Sequence, residues 1–132
     1  MSTSRPTISD KIKFQLVSRA ACRCEFPGCN KSLYEDELTK QAGNFSENAH
    51  IIAFSPRGPR GEGDKDGRPA NVDTVDNFML LCAEHHKLID SSPERYPVSV
   101  LRQYKLEHEE RIALATETHP GKKAYLVTYT AP

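Results

Sequence analysis

The hydrophobic positions of this chain fall into short stretches of distinct period. Over residues 9–21, Ile12, Leu16, Val17 and Ala20 return on one helical face, and Ser9 stands where an N-cap belongs, so a helix is predicted there. Two short apolar runs follow. Residues 47–54 (Glu-Asn-Ala-His-Ile-Ile-Ala-Phe) and 77–82 (Asn-Phe-Met-Leu-Leu-Cys) have strand length and strand composition. Residues 83–90 read as a helix. Pro97 suits a first helical position, and a long helix is predicted over 97–116 with Leu101, Tyr104, His108 and Ile112 in a stripe. Residues 125–130 alternate weakly and predict a final strand. Between these lie a turn-rich knuckle at 22–31 centred on Pro27-Gly28, a polar stretch at 32–45 without clear signal, and a Gly/Pro/Arg/Asp loop at 55–71 too broken for a regular element.

The order is helix, knuckle, strand, loop, strand, helix, long helix, which predicts an α+β domain. The 132 residues fit one domain, and 27% charged with 37% hydrophobic residues is ordinary for a globular chain. No apolar run approaches membrane-spanning length, and the N-terminal residues show no signal-peptide pattern. A cytoplasmic location with reduced thiols is therefore expected, and the four cysteines read better as metal ligands or buried thiols than as disulfides. The formal net charge is zero, which argues at first against a nucleic-acid partner. The charge is uneven, however. Basic residues gather in 1–31 and in the 55–70 loop (Arg57, Arg60, Lys65, Arg68), and acids gather at Glu35 to Glu37 and Glu107 to Glu110, so a local basic face remains open.

Four residues have the spacing of a tetrahedral structural zinc site: Cys24-x4-Cys29 and, after 52 intervening residues, Cys82-x2-His85. The Pro-Gly turn bends the first pair toward one point. Cys82 closes a strand and His85 lies in the first turn of a helix, so both can face the same ion. Cys22 competes with Cys24, but Cys24-Glu-Phe-Pro-Gly-Cys29 is the more self-contained turn. His86 points about 100° away from His85 on a helix, and Asp90 lies four residues later on the face of His86, a reasonable pair for a hard cation. His50 and Asn77, taken alone, have bland readings: a histidine within a strand and a loop-to-strand turn residue.

Together these residues resemble the HNH nuclease family over about Cys24 to Asp90. The resemblance rests on the knuckle 24–29, on Asn48-Ala-His50-Ile-Ile, on Asp76-Asn77-Phe-Met-Leu-Leu-Cys82, and on Cys82-Ala-Glu-His85-His86-Lys-Leu-Ile-Asp90. It implies a ββα-metal core with a structural zinc knuckle and flanking helices, over residues 1–118. Residues 119–132 would then be a tail or the start of a linker. It also implies that His50 is the general base, that Asn77 orients it or ligates the catalytic ion, and that His86 ligates that ion with Asp90. Cys24, Cys29, Cys82 and His85 would hold Zn2+, and the catalytic ion would be Mg2+ or Mn2+. Many family members carry Asp or His before the first motif histidine, where this chain has Ala49. A replacement ligand must come from Asp90, Asn77, Glu47 or His50 itself.

The longer patterns at 49–61, 80–90 and 96–109 are similar to the nuclease domain of HNH–SAVED effectors in CBASS anti-phage systems. There, a separate sensor domain binds a cyclic oligonucleotide and promotes assembly. The implied partner of this chain is double-stranded DNA, with Arg57 and Arg60 gripping phosphates, and the chain is either the nuclease part of such an effector or a standalone restriction-type HNH nuclease. The stripe of the long helix can cover the core or form a homo-oligomer surface. The competing reading is a non-catalytic zinc module that binds DNA or protein, which would need the four zinc ligands but not His50, Asn77 and His86 together.

Overall fold

The computed structural model describes residues 7–117 and 119–121. The first helix, α1 (Asp10–Ala20), starts where expected: the Ser9 side chain accepts from the Ile12 amide at 3.3 Å. It ends on Ala21, whose φ of 56° is left-handed and returns its amide to the carbonyls of Ser18 and Val17. Leu16 and Ala20 are buried on the face of α1 that the sequence singled out.

Two antiparallel strands, β1 (Glu47–His50) and β2 (Phe78–Leu81), pair Glu47 with Leu81 and His50 with Phe78. All four residues of β2 are buried, and both α1 and the following helix α2 (Ala83–Ser91) touch it. A strand covered on both faces has no polar side to show, which is why 78–81 reads as an unbroken apolar run. The last helix, α3 (Val98–Thr116), lies against α1. Among the described residues no helix is long and apolar enough to cross a membrane.

Three expectations shift. The first strand stops at His50, not Phe54, because Asn77 intercepts the chain. Its Oδ1 accepts from the Ile52 amide and its Nδ2 donates to the Ile52 carbonyl, both at 2.9 Å, so a side-chain amide completes what a neighbouring strand would have supplied. Asn77 itself lies in a single 3-10 turn, Val75–Asn77, ahead of β2. Pro97 is the N-cap of α3, one position before the first helical turn. The expected strand at 125–130 lies outside the described residues.

The stripe of α3 also differs. Val98, Leu101, Lys105 and His108 are buried, while Tyr104 and Ile112 are only half-buried. His108 donates from Nε2 to the Ala20 carbonyl at the end of α1 and accepts from Arg111; burial holds its pKa below the usual histidine value. Lys105 is buried because Glu109 pairs with its ammonium at 2.5 Å.

Next to this pair, Glu25 stitches the knuckle to the sheet. Its amide donates to the Leu80 carbonyl at 2.9 Å and its Oε1 accepts from the Leu80 amide at 2.8 Å. Burial pushes its pKa up to about 9, against the opposing pull of Lys105, and its carboxyl meets that of Glu109. Among the described residues no donor meets the Oε2 atom of Glu25. A proton on Glu25 turns this meeting of two carboxylates into a donor–acceptor pair and satisfies the orphaned oxygen. Glu25→Gln keeps both hydrogen-bonding roles and should unfold in urea within about 0.5 kcal/mol of the wild type. Glu25→Ala leaves the Leu80 amide unpaired and should cost about 1–3 kcal/mol in the same measurement.

Candidate active site and metal centre

Cys24, Cys29, Cys82 and His85 each offer one ligand atom, and the four atoms lie within 4.8 Å of one another. The knuckle delivers Cys24 and Cys29. Cys82 is the N-cap of α2, and His85 lies one turn inside that helix. Nδ1 of His85 sits 3.2 Å from the Cys82 sulfur and 3.8 Å from that of Cys24. Three sulfurs and one imidazole nitrogen are the donors a tetrahedral soft-metal site requires, so the residues fit the expected ion. Burial, reinforced by the neighbouring thiols, pushes the Cys24 pKa up to about 12, and a bound cation is what would draw out its thiolate. Phe26, inside the knuckle, stacks on the His85 ring at a centroid distance of 4.3 Å and meets Tyr96 and Tyr104 edge-on. It therefore fixes the ligand ring while joining the knuckle to α3. Cys22, the rival ligand, lies outside the cluster.

His86 turns the other way, as its helical position requires. Its Nδ1 donates to Glu47 Oε1 at 2.6 Å and its Nε2 to Asp90 Oδ2 at 3.2 Å. Hydrogen bonding to Asp90, with help from Glu47, raises its pKa despite burial. Asp90 is held ionised: burial works against its charge, but the hydrogen bonds from His86 and Arg60 outweigh it and lower its pKa. Among the described residues, the ligand atoms of Glu47, His86 and Asp90 do not gather around one point as those of Cys24, Cys29, Cys82 and His85 do. The two carboxylates approach opposite edges of the ring, and a ligating nitrogen must give up its proton.

His50 and His86 line one cleft of about 320 Å3, together with Asn48, Asp90 and residues 53–55 and 58–59. His50 is nearly buried, packs on the Phe78 ring at 4.3 Å, and places Nε2 2.8 Å from Asp73 Oδ1. A larger hollow of about 940 Å3, between the 60–66 loop and the start of α3, contains no histidine or cysteine. Chemistry and not size marks the smaller cleft.

Two expected roles meet different surroundings. Asn77 is buried, and its amide is committed to Ile52 and, through Nδ2, to the Val72 carbonyl at 2.8 Å. Its Oδ1, the atom that could ligate an ion, accepts from the Ile52 amide, and both of its N–H donors are used. Arg60 is only 4% exposed. Its guanidinium donates to the carbonyls of Ile51 and Ile89 and to Asp90 at 2.6–3.0 Å, with a longer contact to Tyr96, and holds a left-handed backbone at φ 56°. It is a clamp between the end of β1 and the end of α2, and its donors are turned inward, away from any phosphate. Arg57 stays exposed in the turn beside the cleft. Arg68 ties the same loop together through the carbonyls of Ala53, Phe54 and Gly61. Gly61 must lack a side chain, since a Cβ there would collide with the carbonyls of Ser55 and Pro56.

Sequence reasoning missed Asp73 altogether and weighed Glu47 only as one substitute ligand among four. Asp73 reaches His50 across 23 positions of irregular chain, and no local pattern announces such a contact.

Two outcomes follow. Arg60→Ala should lower urea stability by about 2–4 kcal/mol, because three carbonyls and Asp90 lose a buried donor, whereas Arg57→Ala should change it by less than about 0.5 kcal/mol. Cys82→Ser should abolish the single tightly held metal ion per chain, read by elemental analysis. It should also cost at least about 3 kcal/mol, lowering Tm by more than about 10 °C.

The comparison with known proteins agrees with this arrangement. No curated protein matches the chain. A family model described as HNH endonuclease matches residues 20–92, a span that runs from the end of α1 through the knuckle, both strands and α2 and covers more than half of the chain. The chain belongs to the HNH endonuclease family.

Proposed function

We propose that the chain is a metal-dependent endonuclease that hydrolyses phosphodiester bonds of double-stranded DNA, with β1, β2 and α2 acting as a ββα-metal finger. The observation that carries this reading is the shared cleft: His50, His86 and Asp90 come from a strand and a helix 36 or more positions apart, yet line one hollow large enough for a phosphodiester.

In this reading His50 takes the proton of a water molecule as its oxygen attacks phosphorus. The P–O3′ bond breaks, leaving a 5′-phosphate and a 3′-hydroxyl. An imidazole suits this task because it exchanges protons near neutral pH. His86 and Asp90, on one face of α2, would hold Mg2+ or Mn2+, which would supply charge neutralisation at the phosphoryl and leaving oxygens. Cys24, Cys29, Cys82 and His85 would hold Zn2+ and only fix the frame. Asn77 keeps the end of β1 in place. Arg57, exposed in the turn beside the cleft, would contact a flanking phosphate.

The finer assignment, to the nuclease part of an anti-phage effector whose sensor answers a cyclic oligonucleotide, rests on the sequence patterns at 49–61, 80–90 and 96–109. The non-catalytic zinc module loses ground, since such a module has no use for a histidine cleft beside its metal frame. Plasmid nicking with Mg2+ or Mn2+ tests the proposal. His50→Ala should slow it by about 10²–10⁴-fold while metal content is retained. Equal rates for the two proteins would refute the role of His50.

A further inference from the structure

The contact between His50 and Asp73 fixes more than a ring position. A carboxylate can only accept, so at 2.8 Å from Asp73 Oδ1 the Nε2 atom of His50 must carry a proton. In the neutral ring the basic lone pair is then on Nδ1. Few side chains could make this choice so firmly, because His50 is almost wholly buried and Phe78 covers its ring.

Asp73 is itself held on both sides. Its amide donates to Asn71 Oδ1 at 3.0 Å, and the carbonyl of the preceding Val72 accepts from Asn77 Nδ2 at 2.8 Å. The same Asn77 amide pins Ile52, two residues beyond His50. One buried amide therefore sets the distance between the segment that carries Asp73 and the strand that carries His50.

We propose that Asp73 is a positioning residue for the cleavage reaction, which holds His50 in the Nε2–H tautomer so that Nδ1 receives the proton of the attacking water, and that Asn77 acts on His50 through the Val72–Asp73 segment. The inference rests on the nuclease reading for its kinetic consequence, but not for the tautomer itself. It assigns Asp73 to the base and not to the catalytic ion, for which the proposed ligands are His86 and Asp90.

The experiment uses the full zinc-loaded chain and two readouts. Long-range 1H–15N correlation of the His50 ring at pH 8 should show a protonated Nε2 and an unprotonated Nδ1 in the wild type. Asp73→Asn, whose amide can accept from or donate to the ring, should give a mixture of tautomers with zinc content and melting temperature retained. Asp73→Ala should do the same and guards against an accidental fit of Asn. Plasmid cleavage by both variants should fall roughly 10²-fold or more in kcat with KM nearly unchanged, the signature of an interaction made in the transition state. An Nδ1–H tautomer in the wild type overturns the proposal, as does wild-type kcat in Asp73→Asn. Recovery of Asp73→Asn activity by excess Mn2+ also overturns it, since that would make Asp73 a ligand. A wild-type chain that cuts no DNA refutes the nuclease reading, while the ring spectrum still decides the role of Asp73 toward His50.

Discussion

The structure depends on Cys82 serving two elements at once. It follows the last residue of β2, it caps α2, and its sulfur faces the Cys24–Cys29 knuckle. A metal ion held there would join the end of the sheet, the start of a helix and a loop more than fifty residues away. Short strands and a nine-residue helix have little stability alone, so a staple at their junction decides whether the unit exists. His85 and His86 then inherit opposite duties from adjacent positions. The first completes the frame, and the second is delivered to the cleft because neighbouring helical residues diverge.

Around that junction the polar residues are braces rather than surface. Arg60 joins the end of β1 to the end of α2 and to Asp90. Asn77 replaces a missing strand beside Ile52. Glu25 ties the knuckle to β2 from the other side. Each supplies hydrogen bonds to backbone groups that irregular chain would otherwise leave unpaired in the interior. The cleft owes its shape to these three contacts as much as to the apolar core, because they set the spacing of the segments that carry His50, His86 and Asp90.

Much of this was legible in the sequence, and the rest was hidden for physical reasons. The Ser9 cap and the spacing of Leu16 and Ala20 gave α1, and the spacing of Cys24, Cys29, Cys82 and His85 gave the cluster, because helical period and paired ligands are local signals. Lys105 broke the α3 stripe because its burial depends on Glu109 and Glu25, which hydropathy cannot register. Arg60 looked like a phosphate contact because it sits in a basic, glycine-rich loop. Its clamp role depends on carbonyls of Ile51 and Ile89, nine and 29 positions away. The end of β1 was set too late because Ile51 to Phe54 is apolar enough for a strand, and only Asn77 turns it aside. Glu47, two residues before Ala49, pairs with His86 39 positions away, a contact that no local pattern announces.

The central claim is that two metal sites of different chemistry share this small unit, a soft one that builds it and a hard one that serves the cleft. Titration of Mn2+ into the zinc-loaded chain, followed by electron paramagnetic resonance, tests it most directly. The account predicts one additional Mn2+ per chain, bound more weakly than zinc, and its loss in His86→Ala with the zinc retained. No second ion in the wild type, or undiminished Mn2+ binding in His86→Ala, would contradict it.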